Sequence, residues 1–183
     1  MGLIEDVRQR LFQSALQRQV RAIKNKRQQK PMNLETSKSV GILFDANDLQ
    51  NRNIVLNFSK KLEKSKKKVE LLGFLEKAPQ DEIIHFPIFT KKEIDWIYRP
   101  KGETVRHFLD TSFDLFLHLH PFSKCYADYI AALSKAHLRV GPYSSREFAY
   151  DLMIDMEGNT DLKKLIQQME SLMAKLNIKN EAA

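Results

Sequence analysis

The sequence predicts an α/β fold: a three-layer sandwich around a mostly parallel sheet of about five strands, Rossmann-like or flavodoxin-like, preceded by a basic amphipathic N-terminal helix. Two observations predict it, and a third bounds its setting. Short apolar runs alternate with segments of helical period along most of the 183 residues. Residues 113–143 read as strand, helix and strand in succession, a βαβ unit that requires parallel pairing. Cys125 is the only cysteine, so no disulfide framework holds the chain, and a reducing cytoplasm is its expected setting.

Residues 1–31 form the expected N-terminal arm. Leu3, Ile4, Val7, Leu11, Phe12, Ala15, Leu16, Val20 and Ile23 recur every three or four positions, an amphipathic helix that Pro31 ends. The arm carries Arg8, Arg10, Arg18, Arg21, Lys24, Lys26, Arg27 and Lys30 against Glu5 and Asp6, nearly the whole of the chain's net charge of +7. A neutral domain with a basic arm has this distribution; a uniformly basic enzyme does not. Three readings of the helix compete: docking on its own domain with a solvated basic face, an RNA-binding arm, and a membrane-surface helix. Gln13, Gln17 and Gln19 weaken the last.

A polar linker, 32–39, leads into the α/β domain, 40–176. The first strand spans 40–44 and ends in Asp45-Ala46-Asn47-Asp48, where a carboxylate either meets a ligand or caps the next helix. That helix, 49–64, turns Ile54, Val55, Phe58 and Leu62 inward, and Lys66, Lys67 and Lys68 follow its end. A strand covers 69–75. Residues 83–89 are apolar but contain Pro87, which suits an edge strand or an irregular segment. Trp96 and Tyr98 mix with Arg99 and Lys101, a composition of single-strand RNA binders and, more often, of packing at a sheet edge. A short helix is expected at 104–109. Strand 113–119 stops at Pro121, and helix 123–136 presents Tyr126, Tyr129, Ile130, Leu133 and Ala136 on one face. Strands at 138–140 and 148–155 follow, then a turn and cap at Gly158-Asn159-Thr160, a helix over 161–176, and a tail, 177–183.

Chemical motifs are sparse. The six glycines form neither G-x-G-x-x-G nor a P-loop, so no nucleotide cofactor is expected. His118 and His120 lie two apart at a strand end and point the same way, near Asp45 and Cys125. A third and fourth ligand at zinc-site spacing are missing, and no metal or other cofactor is expected. Cys125, beside Lys124, has no nucleophile motif around it.

The segment 129–136, Tyr-Ile-Ala-Ala-Leu-Ser-Lys-Ala, followed by Arg139-Val140-Gly141, resembles an uncharacterised family of small bacterial α/β proteins, a domain of unknown function. The likeness covers about residues 40–156 and is specific across 113–141. It implies an α/β fold and a cytoplasmic bacterial protein, and no reaction. Relatives end the strand before the helix in Asn, Asp or Ser types. Here His118-Leu119-His120 stands instead, so the resemblance carries over no histidine site.

The expected function is a non-enzymatic RNA-binding module associated with the ribosome. Its phosphate contacts would be the eight cations of the arm, with Lys66, Lys67 and Lys68 as a second patch. Ribosomal RNA and ribosomal proteins are the expected partners, without integral membrane association. The alternatives are a small-molecule or metal-dependent enzyme at the strand tips near Asp45, His118 and His120, and a protein-interaction adaptor whose first helix docks in a partner groove.

Overall fold

The computed structural model describes residues 2–23, 27, 29–30, 32–79 and 82–176. Helix α1 (Leu3–Ile23) precedes β1 (Ser39–Asp45), α2 (Leu49–Lys64), β2 (Lys68–Leu75) and β3 (Ile88–Thr90). Then come α3 (Glu103–Asp110), β4 (Leu115–Leu119), α4 (Cys125–Leu133), β5 (Leu138–Pro142), β6 (Leu152–Ile154) and α5 (Leu162–Ala174). The six strands form one sheet in the order β3-β2-β1-β4-β5-β6, and every neighbouring pair is parallel. That order, with its reversal between β1 and β4, is the dinucleotide-fold order; the flavodoxin order differs.

Side-chain alternation divides the core. Ile42, Phe44, Leu115 and Leu117 face α2 and α5, whose Val55, Phe58, Leu165 and Met169 are buried on them. Leu43, Leu72, Phe74 and Phe116 face the opposite way, towards α3, α4 and α1. The central strand β4 is buried at all five positions, as a parallel strand covered on both faces must be.

Differences from the expected elements have local causes. The sheet gains a sixth strand because residues 88–90 pair with β2 once Pro87 is passed; residues 83–86 are irregular. Pro87 keeps a ladder role as acceptor only, taking the Gly73 N–H at 2.9 Å. The last strand shortens to Leu152–Ile154 because Glu147–Ala149 forms a 3-10 turn. Asp161 caps α5, accepting from the N–H of Lys163 at 2.9 Å.

Helix α4 departs furthest from expectation. It spans Cys125–Leu133 rather than 123–136, which leaves Ala136 buried in the loop beyond it; within the helix Ala127, Ile130, Ala131 and Ala132 are buried, while Tyr126, Tyr129 and Leu133 are only partly so, and the segment has no one-sided stripe. A helix apolar all round is covered all round. The sheet lies under α4, and α1 packs over it with Phe12 and Leu16 fully buried. The N-terminal helix therefore docks on its own domain. Gly141 in β5 allows Tyr150 to lie flat on the sheet nearby: an added Cβ there would meet the Tyr150 ring at 2.3 Å.

Candidate functional site

The carboxyl ends of β1 and β4 flank the crevice where this strand order places ligands. Its polar side chains are engaged by the local backbone. Asp45 Oδ1 accepts from the Asn47 N–H at 2.9 Å, and Asn47 Oδ1 accepts from the Glu76 N–H at 2.8 Å. Asp48 caps α2, accepting from the Asn51 N–H at 2.7 Å, so a side-chain carboxylate already holds the helix N-terminus that would receive an anion. Asp48 thus takes the capping role that the sequence left open. His120 stands across the crevice with Nδ1 2.7 Å from the Phe122 carbonyl. Burial lowers its pKa against the opposing pull of that carbonyl and of Asp45.

Beneath the crevice lies a buried polar network. His118 Nδ1 is 2.8 Å from the Tyr150 hydroxyl, which donates to Asp128 Oδ1 at 3.1 Å; the imidazole Nδ1–H is therefore the donor to the phenol. Burial, with the charges of His120 and Lys124, holds His118 well below its ordinary pKa, and burial with Asp128 alongside pushes Tyr150 well above. Both are neutral. Asp128 is fully buried and takes three further donors on Oδ2: Ser123 at 2.7 Å, Ser144 at 2.8 Å and Arg146 at 3.1 Å. The serine hydroxyls serve the carboxylate rather than an imidazole. Cys125 meets Gln9 and Arg146, each at 3.5 Å, and is not paired with a base.

His118 and His120 do point the same way, with ring centroids 6.0 Å apart and planes nearly parallel. Among the described residues, however, no three His, Cys, Asp or Glu side chains converge on a possible metal position. Asp128, Ser144 and Arg146 were not singled out from sequence. One signal was available: Asp128 is the only charge in the otherwise apolar run Cys125–Leu133.

The network also anchors α1. Arg146 reaches Gln9 Oε1 at 2.7 Å and lies 5.0 Å over the Phe12 ring. Two of the arm's cations are used in the same way. Arg8 donates to the Trp96 carbonyl at 2.8 Å and lies 4.2 Å over Tyr98. Arg27 binds Asp151 and gives hydrogen bonds to the carbonyls of Ala136 at 2.7 Å and His137 at 3.0 Å. Arg10, Arg18, Arg21 and Lys30 are exposed, with no hydrogen-bond or ion-pair partner among the described residues. Lys24 and Lys26 lie outside the described residues.

The second basic patch is the end of α2. Lys66 adopts φ 62°, its N–H reaching the Glu63 carbonyl at 2.8 Å and that of Lys67 the Leu62 carbonyl at 3.2 Å. This is a Schellman ending, with cations where the helix dipole favours them. Lys67 Nζ donates to the Ser37 carbonyl at 2.8 Å, and Lys68 pairs with Glu70 at 3.3 Å. Lys66 stays exposed.

A model of a family of unknown function, DUF6913, matches residues 8–176. The chain belongs to that family. No curated protein and no solved structure matches. The matched span of this DUF6913 chain opens inside α1 and includes its arginines Arg8, Arg10, Arg18 and Arg21. Among the described residues, no helix of the DUF6913 chain is long and apolar enough to cross a membrane.

Proposed function

We propose that the protein is a non-enzymatic RNA-binding module of the cytoplasm, associating with ribosomal RNA through the outward face of α1. One observation carries the reading: α1 is fixed by Phe12 and Leu16 on one side, and Arg10, Arg18 and Arg21 stand exposed on the other without internal partners among the described residues. Held on a docked helix, these cations lose less freedom on meeting phosphates than those of a loose arm. Lys30 extends the face, and Lys66 and Lys68 supply a separate, weaker contact. Ribosomal proteins are the neighbours such a site would bring.

A second reading, a protein-docking helix, is favoured by Leu3 and Ile4, which are 82% and 71% exposed on the same helix. Salt separates the two, because phosphate contacts weaken steeply as it rises and apolar docking does not. The test is co-sedimentation of the full chain with ribosomes at low and high salt, beside a variant carrying Arg10→Ala, Arg18→Ala and Arg21→Ala. Salt-sensitive association that the triple variant loses supports RNA binding. Protein that stays at the top of the gradient at low salt refutes it.

A further inference from the structure

The loop from Asp95 to Arg99 is over-determined for a surface turn. Asp95 Oδ1 accepts the N–H of Ile97 and of Arg99, each at 3.0 Å, and its Oδ2 pairs with Arg99 and Lys101. Tyr98 is held at φ 61°, a left-handed conformation that is costly for a bulky residue. The loop is then stapled to α1: Tyr98 donates its hydroxyl to Glu5, packs edge-on against Phe12 and lies under Arg8. All this rigidity presents one side chain to solvent. Trp96 is 56% exposed and contributes nothing to the buried core.

Trp96 lines two neighbouring clefts. One, of about 380 Å³, is walled by Phe74, Tyr98 and Tyr126 with Arg8 and Lys91, within the ~300–1,000 Å³ of small-ligand sites. The other, of about 490 Å³, runs between Trp96 and Ile97 on one side and Leu11, Ala15 and Arg18 of α1 on the other. Arg18 and Ser14 carry it on to Arg21. The two carboxylates on this path are already engaged, Glu76 by Lys91 and Asp95 by Arg99 and Lys101. The groove therefore joins an exposed aromatic platform to a line of unpaired arginines, the combination that holds single strands by stacking and phosphate contact.

We propose that this groove binds single-stranded RNA, with one base stacked on Trp96 and the following phosphates on Arg18 and Arg21. The proposal rests on the RNA-binding reading above and adds the strand form and the stacking residue. It also accounts for the fixed loop, because a stacking platform that is already rigid loses little freedom on binding.

Trp96 is the only tryptophan, so intrinsic fluorescence reports this position alone. The full chain is titrated at low salt with an end-labelled oligoadenylate of about 12 nucleotides, a length within known single-strand site sizes. Label anisotropy and Trp96 emission are followed together. Heparin, a polyanion without bases, and anionic phosphatidylglycerol vesicles are the controls. Oligoadenylate should bind and quench Trp96, and heparin should leave the emission in place. Trp96→Ala should weaken oligoadenylate binding about 5- to 100-fold, the loss expected for one base stack, with Trp96→Phe retaining most of it. Binding with no quench and an unchanged Trp96→Ala affinity overturns the stacking site and leaves RNA binding standing. No binding of oligoadenylate at low salt overturns both readings. A blue shift with vesicles and no response to oligoadenylate overturns both and assigns the face to a membrane.

Discussion

Asp151 takes hydrogen bonds from two arginines, Arg27 just after α1 and Arg139 in the neighbouring β5. Burial alone would raise its pKa, but the bonds from Arg27 and Arg139 outweigh it and hold the carboxyl at about 2. A carboxylate lowered in the fold stabilises it above the unfolded pKa, and that stability is lost as pH falls through the folded value. The window here runs from 3.8 down to about 2. Its size is roughly 1–2 kcal/mol once partial exposure is allowed for. Urea denaturation of the wild type should show this loss between those limits, and Asp151→Asn should flatten it while lowering stability at neutral pH. At this scale the sequence said little. Ser123, Asp128, Ser144, Arg146 and Tyr150 are ordinary residues in separate segments, and only folding brings them to one point. Arg27 looked like a phosphate contact because nothing in its surroundings along the chain reveals an acceptor more than a hundred residues away.

Elements were far more legible than contacts. The 49–64 helix was readable to the residue, because Asp48 supplies a cap at one end and a run of lysines follows the other. The β4-α4-β5 unit was readable as strand, helix and strand from its two prolines, although α4 ends at Leu133, before the expected 136. Short elements were legible in place but not in extent: β3 and β6 have three residues each and offer no period to count. The misread faces of α4 have one cause, since a helix covered by a second helix has no polar side to mark its orientation. Phe12 in α1 is the side chain that supplies this cover, so Phe12→Ala should cost about 3–5 kcal/mol, as for a large aromatic removed from a core. Thermal unfolding checks this. A change under about 1 kcal/mol would mean that α1 is not seated on α4 in solution.

For the molecule as a whole, the charge asymmetry read from the sequence resolves, among the described residues, into two populations. Arg8 and Arg27 hold α1 in place; Arg10, Arg18, Arg21 and Lys30 face solvent. Removing residues 1–31 would therefore strip the cover from α4 as well as the cations, and loss of binding would not distinguish the two. Substituting exposed arginines on the intact chain does. The strand order was legible only as a class, because pairing partners are set by crossovers that composition does not encode. The lack of a glycine-rich phosphate turn is a property of the sequence itself.

The most direct test of the central claim, that a docked α1 offers its free arginines to RNA, is the salt dependence of oligoadenylate affinity for the full chain and for the Arg10→Ala, Arg18→Ala, Arg21→Ala variant. Four exposed cations on a single strand predict a slope of log affinity against log salt of about −3, and the triple variant should lose about two of that. Its thermal stability should stay within about 0.5 kcal/mol of wild type, since these side chains are exposed. A slope near zero, or one that the variant leaves unchanged, would contradict the claim.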